Sequence, residues 1–336
     1  MMLDVDSILE LQDLTIRFHT RQGLVTAVDR LRLSLRRGQV LGVVGESGCG
    51  KSVMSRSLIR VEAPGKIEAG HIRYLGCDGS VWAIEALDPA GRQMRAIRWK
   101  EIAMIFQEPM TSFGPQHTVG DQIAEAMAIH GFDRARNLGD AVVAALESVR
   151  MPRAQETARL YPHQLSGGMR QRAMIAMALS CGPRILIADE PTTALDVSTE
   201  RQILELLGER QNALGMSMLY ISHNLGVVAH IADEVAVMYL GRMVERAPVQ
   251  VLFSAPKHPY TVALLRSIPR VDRDQAGPLE TVSGSPPEPF SKPRGCSFHP
   301  RCPQRVDGIC NQTVPQLVQL DDGSQVSCHL YGGIHA

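Results

Sequence analysis

Residues Gly45-Glu46-Ser47-Gly48-Cys49-Gly50-Lys51-Ser52 have the types and spacing to hold a chain of phosphates. The pattern is G-x-x-x-x-G-K-[ST], whose glycines let backbone N–H groups turn inward around phosphate oxygens. Lys51 would reach the β and γ phosphates, and Ser52 would ligate Mg²⁺. Such a loop needs a strand before it and a helix after it, because the helix points its positive end at the anion. Both flanks comply. Val40-Leu41-Gly42-Val43-Val44 reads as a buried strand, and the stretch from about Gly50 to Arg60 has helical character. A glycine-rich turn with a chance lysine is the bland alternative, and these flanks weigh against it.

Three further segments fit the same chemistry. Ile185-Leu186-Ile187-Ala188-Asp189-Glu190 is an apolar run ending in two carboxylates. At a strand end, Asp189 would hold the Mg²⁺ shell and Glu190 would orient, or take a proton from, an attacking water. Leu165-Ser166-Gly167-Gly168-Met169-Arg170-Gln171-Arg172 precedes a helical stretch, so Ser166 and its two glycines offer a second anion site. One phosphate loop already serves one nucleotide, which suggests that the second site serves a nucleotide on another chain. Ile221-Ser222-His223 presents an imidazole at a strand end, suited to a γ-phosphate.

These residues need a scaffold. Leu31, Leu33 and Leu35 alternate with Arg32, Ser34 and Arg36 as in a half-buried strand. From Asp121 to Arg159 apolar residues recur at helical spacing (Ile123, Ala124, Met127, then Val142, Val143, Leu146, Val149). Residues 185–188, 217–221 and 235–239 read as further buried strands, so strands alternate with helices. That order predicts an α/β fold with a mostly parallel sheet covered on both faces. Pro278, Pro286, Pro287, Pro289 and Pro293 mark an extended linker between Gly277 and Arg294.

At 336 residues the chain is long enough for two or three packed units. Lys+Arg and Asp+Glu are both 35, so no global basic field points to nucleic acid. With 44% hydrophobic and 21% charged residues, a mostly disordered chain is excluded. The longest run free of acidic and basic residues, Gln211–Ala232, is interrupted by polar side chains and does not read as a membrane span. Asp4, Asp6 and Glu10 stand where a signal peptide would be basic and then apolar, so the expected location is the cytoplasm. There, cysteines are expected as thiols or metal ligands rather than disulfides. Cys49 is read as a variable loop position, and Cys77 and Cys181 as packing residues.

In this order the motifs resemble those of the ATP-binding cassette (ABC) ATPases, from about Leu9 onward. Gln107 in Ile105-Phe106-Gln107-Glu108-Pro109 matches the Q-loop, and Leu165–Gly168 matches the LSGG signature. Ala194-Leu195-Asp196 matches the D-loop and His223 the switch histidine. Phe18 is a candidate for the aromatic that stacks on adenine, with a strand-core role as the alternative. The resemblance implies a P-loop ATPase core with an antiparallel β subdomain (1–106 and 174–246) and a helical signature subdomain (107–173). A C-terminal extension (247–336) carries the Pro-rich linker and a Cys tail. It also implies ATP as substrate, with Gly45, Glu46, Ser47, Gly48, Cys49, Gly50, Lys51 and Ser52 around its phosphates. Ser52, Gln107 and Asp189 would surround Mg²⁺. Glu190, His223, Gln107 and Lys51 would act in hydrolysis, and Ser166, Gly167 and Gly168 on the facing chain's nucleotide.

Tyr161-Pro162-His163-Gln164 before the signature, Met169 after it, and His258-Pro259-Tyr260-Thr261 resemble the oligopeptide and dipeptide importer branch. So does the tail Gly295-Cys296 with His299-Pro300-Arg301-Cys302-Pro303. Glu101–Ser112 and Thr118–Gln122 look like its D-type subunit, with Phe113-Gly114-Pro115 in place of the usual Leu-Asn-Pro. This branch implies a second, F-type ATPase partner, two transmembrane permease subunits and an external solute-binding protein. It implies no nucleic acid partner and a peripheral place on the cytoplasmic face of the inner membrane. Nickel, glutathione or another small solute is the alternative cargo. A non-transport ABC ATPase, a P-loop kinase and a small GTPase are the more distant alternatives.

Cys296, Cys302, Cys310 and Cys328 have the spacing C-x5-C-x7-C-x17-C, without the close pairs usual for zinc. Four thiolates are also the ligand set of an iron–sulfur cluster. The resemblance extends to members with a [4Fe–4S] cluster on such a tail, against the alternative of four thiols in a tail that folds without metal.

Overall fold

Val40–Val44, Ile185–Asp189 and Ser217–Ser222 are buried at every residue. Strands covered on both faces read as unbroken apolar runs rather than as alternation, and that is how these segments appear in the sequence. The computed structural model describes residues 6–107, 113–130, 137–193, 195–268, 282–288 and 290–332. Its elements run β1 (Ser7–Thr20), β2 (Gly23–Arg36), β3 (Val40–Val44), α1 (Lys51–Ser57), β4 (Lys66–Leu75), β5 (Val81–Ala83), α2 (Arg92–Ile97) and β6 (Ile102–Ile105). Then come α3 (Val119–Ile129), α4 (Leu138–Ser148), α5 (Ala154–Thr157), α6 (Gly167–Leu179), β7 (Ile185–Asp189), α7 (Val197–Leu214) and β8 (Ser217–Ser222). The chain closes with α8 (Leu225–Ala229), β9 (Glu234–Tyr239), β10 (Arg242–Pro248), α9 (Val249–Ser254), α10 (Pro259–Arg266), β11 (Val318–Gln319) and β12 (Gln325–Val326).

The chain folds as two compact units. The first comprises Met1–Ile8, Leu35–Gln39 and Tyr74–Tyr220. In it β8, β7 and β6 lie in that order, and β6 runs parallel to β7 with Ile102 opposite Ile185 and Ile105 opposite Ala188. Helices α3, α4 and α6 pack on one another, and α6 also packs on β6. Ala173 through Leu179 of α6 are all buried, which no amphipathic pattern would announce. Polar caps set the helix starts. Thr118 Oγ1 accepts from the Asp121 N–H at 3.1 Å before α3, and Asn137 Oδ1 from the Gly139 N–H at 3.0 Å before α4. The linker positions Gly277, Pro278 and Pro289 lie outside the described residues, and 282–288 form no regular element.

The second unit comprises Leu9–Ser34, Val40–Arg73 and Ile221–Ala336. One sheet runs β3-β9-β10-β12-β11, with β3 parallel to β9 and the other pairs antiparallel. A second has the order β2-β1-β4. The tail is part of this unit's core. Phe298 is fully buried, with its ring centroid 5.3 Å from both Tyr239 and Tyr260. Burying such a ring contributes about 1.5–3 kcal/mol, and each well-placed aromatic pair roughly 0.5–1.5 kcal/mol more. Cys181 is half-buried, but Cys77 is exposed rather than packed. It sits in a tight turn closed by the Gly76 N–H on the Ser80 carbonyl at 2.8 Å, with no core to enter. Among the described residues no helix is long and apolar enough to cross a membrane.

His258 opens α10 with Nδ1 accepting the Tyr260 N–H at 3.1 Å, so it is held as the neutral tautomer. Burial pushes it down from 6.5 to about 3. The unfolded chain therefore binds the extra proton between these values, and this contribution to stability is complete above pH 6.5 and lost as pH falls toward 3. His258→Asn keeps an acceptor and removes the titration. In urea unfolding between pH 6.5 and 4 it should flatten the pH slope by up to about 1.4 kcal/mol per unit.

Candidate functional site

The phosphate-loop segment leaves β3 at Val44 and enters α1 at Lys51. Gly50 has φ +103°, and a Cβ there would run into the Ala27 carbonyl oxygen, so only glycine fits. A Cβ on Gly45 would likewise meet the Met238 carbonyl. Both ends of the loop are thus wedged against backbone, while Ser47 and Gly48 between them are exposed. Lys51 is buried, and its Nζ donates to the carbonyls of Gly45 at 2.6 Å and Glu46 at 3.1 Å. The Cys49 Sγ lies 3.7 Å from that amine, and burial raises the thiol above its usual range despite the nearby cation. Ser52 is half-buried in the first turn of α1.

Glu46 has partners that no motif announces. Its N–H donates to Tyr260 Oη at 2.9 Å. Its carboxylate accepts both arms of Arg301, Nη1 to Oε2 at 2.7 Å and Nη2 to Oε1 at 3.0 Å. In the same unit Phe18 is half-buried on β1 with its ring against Gly65, and His223 is exposed just past β8.

In the first unit, strand register brings two candidate residues together. Ile105 pairs with Ala188 at the end of β6 and β7, and two residues further on Gln107 faces Glu190. Gln107 Nε2 donates to Glu190 Oε2 at 2.9 Å, and Thr193 Oγ1 donates to the same oxygen at 3.0 Å. Glu190 holds a left-handed backbone, φ +48°, which is costly for a residue with a Cβ and turns the chain sharply after β7. Asp189 before it is buried. Glu108 through Ser112 of the Q-loop stretch lie outside the described residues.

The signature segment is built around a helix start. Ser166 caps α6 by accepting the Met169 N–H at 3.3 Å, and Arg170 donates to the carbonyls of Pro162 and Leu165, both at 3.1 Å. Gly167 and Gly168 face Leu195 and Thr199. Asp196 caps α7 through the Thr199 N–H at 2.9 Å, and Ala194 of the D-loop lies outside the described residues.

All four tail cysteines are free thiols. Cys296 and Cys302 are raised by burial and then by the charge of Cys310, and Cys328 is pushed up to about 11 by burial and then by the other three. The four therefore share one neighbourhood. No group of three or more His, Cys, Asp or Glu among the described residues is arranged to hold a single metal ion.

Residues 28–193 match the family described as ABC transporter, and residues 244–310 match the oligopeptide/dipeptide transporter C-terminal region. The dipeptide transport ATP-binding protein DppD of Bacillus subtilis is 44% identical over 328 residues, covering 97% of this chain and 95% of its own. This chain belongs to the ABC transporter family. The oligopeptide transport ATP-binding protein OppD of Salmonella typhimurium, also 44% identical, covers 96% of this ABC chain and 93% of its own. Among solved structures, a dimeric post-hydrolysis state of the ATP-binding cassette MJ0796 bound to ADP and Pi has a TM-score of 0.62 at 23% identity. It covers 72% of this chain and 98% of its own, and establishes the ABC cassette fold.

Gly50→Ala tests the wedge. The substitution should cost more than about 1 kcal/mol in urea unfolding, because the side chain adds to an unfavourable φ. A variant as stable as the parent would mean that the loop relaxes freely.

Proposed function

We propose that this chain is the ATP-binding and ATP-hydrolysing subunit that energises an importer of di- and oligopeptides. The observation that carries this reading is the likeness to peptide-transport ATP-binding proteins over nearly the whole length, C-terminal region included. In functional terms the ATPase core is 1–106 and 174–246, the helical signature subdomain 107–173 and the C-terminal extension 247–336. The chain works on the cytoplasmic face of the inner membrane with a second, F-type ATPase subunit, two permease subunits and an external solute-binding protein. Nucleic acid has no part in it.

Lys51 leaves the Gly45 and Glu46 carbonyls for the β and γ phosphates, and the loop from Gly45 to Ser52 wraps them. Ser52, Asp189 and Gln107 would hold Mg²⁺, which would supply positive charge against the phosphates. Glu190, oriented by Gln107 and Thr193, takes the proton of the attacking water, and His223 donates to the γ-phosphate. Phe18 stacks on the adenine. Ser166, Gly167 and Gly168 cap the nucleotide of the facing subunit, so ATP holds the pair closed and hydrolysis opens it.

Glu190→Gln should bind ATP normally and lower turnover about a hundredfold or more, as expected on losing a positioned base. Lys51→Ala should instead lose binding itself. Nucleotide titration with steady-state phosphate release separates the two, and near-normal turnover by Glu190→Gln would remove Glu190 from its role.

For the tail, we propose that Cys296, Cys302, Cys310 and Cys328 hold a [4Fe–4S] cluster. Supporting it, all four are free thiols, three half-buried and Cys328 buried, and Cys328 feels the charge of the other three. Such a cluster would tie the tail together covalently, and it enters no step of hydrolysis. Protein purified without oxygen should be brown, with about four iron atoms per chain. A colourless, iron-free protein that is fully folded would rule the cluster out.

A further inference from the structure

Glu46 is the first side chain of the phosphate loop, and residues more than 200 positions away in sequence hold it. The Arg301 side chain is only 5% exposed, and the Glu46 carboxylate 24%. The guanidinium is itself anchored. Its Nε donates to the Ser283 carbonyl at 2.9 Å and Nη2 to that of Val282 at 3.3 Å. Its Cζ stands 5.9 Å from the ring centroids of both Tyr239 and Phe298. Tyr260, in the same aromatic cluster, takes the Glu46 N–H. Backbone and side chain of one loop residue are therefore both pinned, and both pins come from the chain after Ser254.

We propose that Arg301 is a positioning residue for the phosphate loop, and that through Glu46 the C-terminal extension sets this chain's affinity for ATP. The inference rests on reading the loop as the ATP site. When Lys51 turns from the Gly45 and Glu46 carbonyls to a phosphate, that segment loses its cation and must stay in place without it. A loop that is already ordered loses less entropy when the phosphates arrive, so restraint at Glu46 appears as affinity. A planar, two-armed donor suits this task. A lysine would keep the charge but meet only one carboxylate oxygen at a time.

The test titrates ATP onto the full chain and onto Arg301→Gln, Glu46→Gln, the double variant, Arg301→Lys and Lys51→Ala. Either single loss should raise Kd about tenfold, and the double variant should be no worse than either, the mark of two groups acting as one. Arg301→Lys should recover part of the affinity, and kcat at saturating ATP should stay near the parent value in Arg301→Gln and Arg301→Lys. Glu46→Gln leaves every tail residue intact, so its loss of affinity cannot be laid to an unfolded tail. Parental affinity in either single variant, or a double variant whose loss is the product of the two, overturns the proposal. If Lys51→Ala binds ATP as the parent does, the reading of the loop fails, and this inference with it. If Lys51→Ala alone loses binding, only the role of Arg301 fails.

Discussion

A buried ammonium resting on two backbone carbonyls is the interaction on which the rest depends. Lys51 is 5% exposed, and its charge is met by the partial charges of the Gly45 and Glu46 oxygens rather than by bulk water. Dipoles compensate a desolvated cation only in part, whereas a polyphosphate compensates it fully. The loop is therefore built for an anion, and its backbone cannot simply collapse onto the lysine. Gly50 is wedged at the Ala27 carbonyl, Gly45 at the Met238 carbonyl, and Glu46 is held from two sides.

The first unit answers with geometry of a different origin. Parallel pairing of β6 and β7 ends both strands at one level, and the next residues bring an amide and a carboxylate into hydrogen-bonding range. The left-handed turn at Glu190 lets Thr193 reach back to the same carboxylate oxygen. Phosphoryl transfer asks little covalent chemistry of a protein and much positioning, and a carboxylate fixed by two donors is of that kind.

What was legible in the sequence follows from the range of the forces involved. The strand, glycine loop and lysine-led helix from Val40 to Ser57 are local, so periodicity and glycine spacing disclose them. Ser166 is legible as a helix start because a cap acts within three residues, whereas Asp196, matched only to the D-loop, also caps a helix. The Gln107–Glu190 bond was not visible, since it depends on the register of strands some eighty residues apart. Arg301 stands within His299-Pro300-Arg301-Cys302-Pro303, where the cysteines are the residues whose type suggests chemistry. Nothing in the pattern points to a carboxylate 255 positions earlier. Strand β10 does not read as a buried strand in the sequence because it carries Arg242, Glu245 and Arg246. Those charges are tolerated there because Arg246 meets Glu234 and Ser34, and Glu245 accepts the N–H groups of Lys257 and His258. Cys77 shows the opposite error, a thiol assigned to packing that a tight turn leaves in solvent.

The central claim is that this chain carries half of each of two shared nucleotide sites. The most direct measurement is the specific ATPase rate of the isolated full chain across a dilution series, beside the rate of the assembled importer. The account predicts ATP binding at every concentration, but turnover that is a small fraction of the assembled rate and falls further on dilution. Full-rate hydrolysis by the isolated chain, independent of its concentration and of any membrane partner, would contradict it.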